Sequence, residues 1–91
     1  MQDATAWRFY RVDEMQRMFG FKTKQTLYNW MKDGTLPRHF KIGARAVRWA
    51  ADEVDAVAAA RRAGKGQEEI RALVSSLHAA RTAHPVPQAH S

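Results

Sequence analysis

The sequence predicts a mainly α-helical domain with a small β-hairpin, followed by a further helix near the C-terminus. Four segments carry apolar residues at helical spacing, and two short alternating stretches flank a narrow turn that contains glycine. A chain of 91 residues is long enough for one small domain. We therefore divide the chain into an N-terminal lead-in (1–11), a folded domain (12–63), a linker (64–66), an amphipathic helix (67–82) and a disordered tail (83–91).

The first predicted helix begins near Asp13 and ends near Phe19. Asp13 and Gln16 have the spacing of a capping box, and Gly20 follows as a stop signal. Apolar side chains recur on one side of this helix, which indicates the face that packs on the core. Those side chains are Val12, Met15, Met18 and Phe19.

The second predicted helix has a polar face that contains no acidic residue. Thr23 is its expected N-cap, Gly34 supplies the left-handed residue after its end, and Pro37 prevents its continuation. The apolar arc consists of Thr26, Leu27, Trp30 and Met31, and the opposite polar arc of Lys24, Gln25, Tyr28, Asn29 and Lys32. Because an ordinary solvated face mixes acids among its lysines, this composition favours a binding surface over a plain solvated face.

Residues 40–43 and 46–49 are predicted to form the two strands of a hairpin. Arg45 lies at its tip, beside Gly43 and Ala44, whose small size keeps the turn narrow. A narrow turn lets the backbone approach a duplex, so that an arginine can enter the minor groove. Phe40, Ile42, Val47 and Trp49 are expected to point inward, and Lys41 and Arg48 outward.

Two more helices are predicted after the hairpin. The third has Asp52, Glu53 and Asp55 near its start and Arg61 and Arg62 near its end, as the helix dipole favours. The fourth begins at Gln67 and has an apolar stripe that either packs back on the domain or contacts another chain. The stripe, predicted as an oligomer or partner contact, consists of Ile70, Leu73, Val74 and Leu77.

Positive charge is concentrated in the second helix and the hairpin. The chain has 15 lysine and arginine residues against 9 aspartate and glutamate residues, a net charge of +6. Between Lys22 and Arg48 there are seven basic residues and one acid, Asp33, so the remainder of the chain is close to neutral. Such a basic patch is typical of a phosphate binder, although many small basic domains bind no nucleic acid.

Several other functions are disfavoured by the composition. The absence of cysteine excludes disulfides and a zinc finger built on thiolates. The N-terminus has no secretory signal and the longest apolar run, 56–60, is too short to span a bilayer, so we expect a cytoplasmic protein without membrane contact. The four histidines have no metal-ligand spacing and no nucleophile has a suitable partner, so we predict no metal, cofactor or catalysis.

A helix with a basic polar face followed by a basic hairpin is typical of a winged helix-turn-helix, in which the helix enters the major groove of DNA. Glutamine and asparagine can pair bidentately with adenine, and lysine reaches guanine or phosphate. Double-stranded DNA is therefore the predicted partner. The predicted contacts are Lys22, Thr23, Lys24, Gln25, Tyr28, Asn29 and Lys32 on the recognition helix, and Arg38, Lys41, Arg45 and Arg48 on the wing.

Three motifs carry a resemblance to a known family. They are Val12–Asp13–Glu14–Met15 through Gly20, Thr26–Leu27–Tyr28 with Gly34 and Pro37, and the hairpin motif Gly43-x-Arg45-x-x-x-Trp49. Together they resemble the AlpA-type regulators and related excisionases of prophages and integrative elements, a compact branch of the MerR-like winged helix-turn-helix. The resemblance covers residues 12–62.

This resemblance implies an excisionase, or recombination directionality factor, that binds repeated sites beside an attachment site, bends the DNA and assists a tyrosine recombinase. It also fits an AlpA-like transcriptional activator of excision genes. Because one small domain makes few base contacts, we expect cooperative self-association on DNA. Two further alternatives are a small terminase subunit, which normally needs a longer assembly region, and a protein-interaction module that works through the fourth helix.

Overall fold

The computed structural model describes residues 8–83 and contains four helices and three short strands. In chain order they are β1 (Phe9–Tyr10), α1 (Val12–Phe19), α2 (Lys24–Asp33), β2 (Phe40–Lys41), β3 (Val47–Ala50), α3 (Ala51–Arg62) and α4 (Gln67–Ala83). The predicted fold class is confirmed, because a mainly helical chain with a small antiparallel sheet is compatible with a winged helix-turn-helix. Within it, α1 and α2 form the helix pair, and β2 with β3 forms the wing.

Helix α1 starts two residues earlier than a capping box at Asp13 would require. The predicted capping box at Asp13 is therefore wrong. Arg11 occupies the N-cap position, and Glu14 lies three residues after it. The Arg11 backbone N–H donates to the Glu14 carboxylate at 2.8 Å, which satisfies one amide at the start of the helix. Asp13 instead lies in the first turn, where it forms an exposed ion pair with Arg17.

The end of α2 follows the sequence prediction closely. Gly34 adopts the left-handed conformation with a φ of 81°, a region that glycine enters without steric cost. The Gly34 N–H donates to the Met31 carbonyl at 3.2 Å and the Thr35 N–H to the Trp30 carbonyl at 3.0 Å. These two bonds form a Schellman motif, which fixes the direction in which the chain leaves the recognition helix.

The sheet has three antiparallel strands in the order β1-β3-β2, one more than the predicted hairpin. Tyr10 pairs with Trp49, and Phe40 pairs with Arg48. Directly paired residues share one face of a sheet and alternate residues along a strand share it too. Phe40 therefore lies on the face opposite Trp49, and the prediction that both point into the same core is wrong. The Phe40 ring instead contacts Phe9 edge-on at a centroid distance of 6.3 Å.

Two apolar clusters form the interior. The first joins the helix pair to the sheet and α3 through Met15, Leu27, Leu36, Trp49 and Val54. The second joins α3 to α4 through Val57, Ile70 and Val74. Since α4 buries its stripe against α3, the four residues 63–66 form a tight turn between two packed helices. The fourth helix is therefore part of the same folded body as the winged helix.

The predicted N-terminal lead-in lies within the structure only from residue 8 onward. Residues 1–7 and 84–91, which include almost all of the predicted disordered tail, fall outside the described residues. Helix α4 continues to Ala83, one residue beyond its predicted end. Among the helices of residues 8–83, none combines the length and the hydropathy needed to cross a membrane.

Candidate nucleic-acid interface

The outer face of α2 is exposed to solvent. All seven residues predicted for the recognition helix are exposed, namely Lys22, Thr23, Lys24, Gln25, Tyr28, Asn29 and Lys32. The Gln25 side-chain Nε2 donates to Asn29 Oδ1 at 3.1 Å, which holds the two amides together. The pair leaves the Gln25 Oε1 atom free as an acceptor and the Asn29 Nδ2 group free as a donor. An acceptor beside a donor is the complement of the N6–H and N7 edge of adenine.

Tyr28 is held at the centre of this face by an aromatic contact that the sequence analysis missed. Its ring meets the His39 ring edge-on at 5.7 Å, and His39 meets Trp49 edge-on at 5.4 Å. Trp49 is fully buried, so this chain of rings connects the recognition helix to the sheet. His39 lies eleven residues beyond Tyr28 in an irregular segment, and no local pattern predicts that the two rings meet.

The wing carries exposed cations at its base, its side and its tip. Arg38, Lys41 and Arg45 are all exposed. The Ile42 N–H donates to the Ala46 carbonyl at 3.0 Å, which closes the hairpin just below the tip. These three predicted contacts are therefore accessible to a duplex that lies along α2 and the wing.

Arg48 differs from the other predicted wing residues. It is half-buried, and its Nη1 donates to the carbonyl of the neighbouring Val47 at 2.8 Å. Contact with DNA would require the Arg48 guanidinium to give up this hydrogen bond. We therefore expect Arg48 to contribute less to binding than Arg45.

The positive charge of this surface is not neutralised within the described part of the chain. Among residues 8–83, none of the seven basic side chains between Lys22 and Arg48 forms a salt bridge. Arg11, Arg17, Arg71 and Arg81 of the rest of the molecule are paired with acids. Cations that are not paired with acids raise the local positive potential, which attracts phosphate.

The predicted partner-binding stripe of α4 is largely used inside the fold. Ile70 is 1% exposed and Val74 2% exposed, both packed against Val57, so these two side chains are removed from the surface predicted to meet another chain. Leu73 and Leu77 are half-buried at the edge of the same cluster. For these two leucines, contact with a partner stays a prediction.

His78 of α4 contacts the base of the wing. Its Nε2 accepts a hydrogen bond from the Arg38 backbone N–H at 3.1 Å. Burial lowers the pKa of His78 below its ordinary value of 6.5, and the positive charges of Arg81 and Arg38 lower it further, against an opposing effect of Glu53. His78 is therefore neutral at neutral pH, as an acceptor must be.

This shift predicts a loss of stability in mild acid. Because the folded-state pKa of His78 is depressed, the unfolded chain binds the proton more readily. The stabilisation is complete above pH 6.5 and is lost as the pH falls through the lower folded-state pKa. Urea unfolding of the wild type and of His78→Leu from pH 7.5 to 5 should show the difference between them shrinking with acidity. Parallel curves would contradict this role of His78.

Comparison with known proteins agrees with this geometry. A family model described as the prophage CP4-57 regulatory protein, AlpA, matches residues 8–61. The chain belongs to the AlpA family. The predicted family is thus confirmed, and the protein is a DNA-binding regulator. The matched residues include α2 and the wing, whereas α4 lies beyond them.

The chain is also similar to an uncharacterised protein, ORF88, of Enterobacteria phage P4. The two are 34% identical over 65 residues, which cover 71% of this AlpA-family chain and 73% of the phage protein. No solved structure is detectably similar to the chain. The assignment to the family therefore rests on sequence, and the geometry of the interface on the structure described here.

Proposed function

We propose that this AlpA-family protein reads a specific duplex sequence with α2 in the major groove and the wing against the adjacent backbone and minor groove. The observation that carries the proposal is the exposed face of α2, on which Lys24 and Lys32 accompany the Gln25–Asn29 amide pair. In this assignment Gln25 and Asn29 discriminate between bases, and Lys24 and Arg45 supply affinity that depends on salt.

We further propose that the protein acts in excision, by changing the shape of the DNA to which it binds. Arg45 stands at a tip formed with Gly43 and Ala44, a shape suited to the minor groove. Proteins that grip both grooves commonly deform the duplex, and a bend is what an excisionase contributes beside an attachment site. The protein would then bind repeated sites cooperatively and assist a tyrosine recombinase.

A second candidate is an AlpA-like transcriptional activator. The description of the matched family as a regulatory protein favours it. Both candidates need specific DNA binding, and they differ in how many copies bind and in what happens to the DNA. Contact with a recombinase or another copy through Leu73 and Leu77 belongs to the first candidate.

The test is a selection from a random duplex pool at physiological salt, followed by a bend measurement. We expect a short motif that recurs at a spacing of about 10 base pairs, one helical turn. End-to-end fluorescence transfer on a duplex with two motifs should show a shortening that increases with the number of occupied motifs. A single motif with an unbent duplex would favour the activator. Retention without any motif would refute specific reading and leave only phosphate binding.

A further inference from the structure

The segment between the recognition helix and the wing, residues 34–39, has no helix or strand of its own. The backbone polar groups of such a segment still need hydrogen-bond partners. The amides of Gly34 and Thr35 bond back to the end of α2. Three of the other groups are bound by side chains of α3 and α4 that lie at least 26 residues away in sequence.

Two arginines bind carbonyls where α2 ends and this segment begins. Arg61 of α3 donates from Nη2 to the Thr35 carbonyl at 3.3 Å, and its guanidinium carbon lies 3.8 Å from the centroid of the Trp30 ring. Arg71 of α4 donates from Nε to the Asp33 carbonyl, the last of α2, at 3.0 Å. A cation on this carbonyl also compensates the negative end of the helix dipole.

Arg38, two residues before β2, is bound at both of its backbone groups by α4. Arg81 donates from Nη2 to the Arg38 carbonyl at 2.8 Å, and the Arg38 N–H donates to His78 Nε2 at 3.1 Å. The Arg81 guanidinium carbon lies 4.2 Å from the centroid of the Phe40 ring in β2. Arg81 is itself fixed by the buried Glu53 of α3, which accepts from Nε and Nη2.

Arg71, His78 and Arg81 lie on one face of α4. Seven residues are about two helical turns and three are about one, so these spacings bring the side chains into one row. Val74 lies between Arg71 and His78 and is buried against α3. The packing of α4 on α3 therefore determines where these three side chains contact the segment 34–39.

We propose that α4 is a brace that sets the angle between the recognition helix and the wing, with Arg71, His78 and Arg81 as positioning residues for DNA reading. This rests on the proposed function, since an angle matters only if both parts contact one duplex. A ten-residue helix is about 15 Å long, so a rotation of roughly 10° moves its far end by about 3 Å. A displacement of that size breaks the hydrogen bonds that distinguish one base from another.

The test compares Arg71→Ala/His78→Leu with two controls. Arg71 is exposed, and neutral His78 is replaced without a change of charge, so the double variant should remain folded. Arg62→Ala removes an equal charge from an exposed position in the last turn of α3. Glu68→Ala removes the exposed ion pair with Arg71 at 3.7 Å but keeps Arg71 on the Asp33 carbonyl. Circular dichroism verifies that every protein is folded at the temperature of the binding assay.

Each protein is titrated with its selected duplex and with a scrambled duplex at the same salt concentration. We expect the double variant to lose roughly tenfold in the ratio of the two Kd values, the equivalent of one bidentate base contact. Its Kd for the scrambled duplex should change only as much as that of Arg62→Ala. Amide exchange at Arg38 should accelerate, while the interior amides of α2 stay protected.

Three outcomes separate the two proposals. A reduced ratio with faster exchange at Arg38 supports the brace. The second outcome is a wild type that prefers its target and a double variant whose Kd ratio falls no further than those of Arg62→Ala and Glu68→Ala. This outcome overturns the brace and leaves the proposed function intact. A wild type that binds both duplexes equally refutes the proposed function itself, and the brace with it as a device for DNA reading.

Discussion

Replacing Arg81 by alanine is expected to lower the free energy of unfolding by about 3–5 kcal/mol, the usual cost of leaving one partner of a buried ion pair alone. The Glu53 side chain is 6% exposed and that of Arg81 is 18% exposed. Arg81 donates from Nε and Nη2 to the two Glu53 oxygens at 2.8 and 2.6 Å. Because a small domain has an unfolding free energy of only about 5–10 kcal/mol, this variant should be partly unfolded at 37 °C.

Urea unfolding followed by circular dichroism measures this effect. Arg17→Ala is the matched control, since Arg17 pairs with Asp13 at 3.6 Å while 70% exposed, and its loss should stay within about 0.5 kcal/mol. Glu53→Leu/Arg81→Met removes both charges together, so it should recover most of the stability lost in Arg81→Ala. A loss below about 1 kcal/mol in Arg81→Ala would show that solvent reaches Glu53 and that the pair behaves as a surface pair.

The parts of the fold that the sequence predicts well are those with local signals. A glycine that can adopt the left-handed conformation, followed closely by a proline, is a common signal for the end of a helix. Gly34 and Pro37 therefore mark the end of α2. Likewise, the 3.6-residue period separates the face with Leu27 from the face with Gln25 and Asn29. The candidate interface lies mostly on that second face, so the exposure of its residues could be predicted from the sequence.

The features that the sequence did not predict depend on residues distant in the chain. The acid at Glu53 is adequately explained by the helix dipole, and nothing near it indicates that Arg81, 28 residues later, occupies the same site. Similarly, the stripe with Ile70 and Val74 predicts a buried face but does not say what covers it. In the register of β2 against β3, Phe40 pairs with Arg48 and lies on the face opposite Trp49. This register is set by the pairing of two strands and not by a local sequence pattern.

Removing Lys24 and Arg45 together is expected to weaken DNA binding by roughly 30-fold at 0.15 M salt, if each contacts one phosphate. Each phosphate contact contributes about 0.9 to the slope of log K against log salt, so two contacts scale the affinity as salt to the power of about −1.8. Both residues are exposed, and within residues 8–83 neither forms a salt bridge, so their loss should leave the fold intact. The measurement is the Kd of Lys24→Ala/Arg45→Ala at four salt concentrations, where the slope should become shallower by nearly 2.

The matched control is Arg62→Ala/Lys65→Ala, which removes two exposed charges where α3 turns into α4. Net charge falls equally in both double variants, so any difference between them reports position rather than total charge. If the two weaken binding alike, the protein attracts DNA by its overall charge, and the assignment of α2 and the wing is wrong. If only Lys24→Ala/Arg45→Ala flattens the salt dependence, the helix and the tip of the wing hold phosphates at the same time. Simultaneous contact by both parts is also the condition under which the angle set by α4 affects DNA reading.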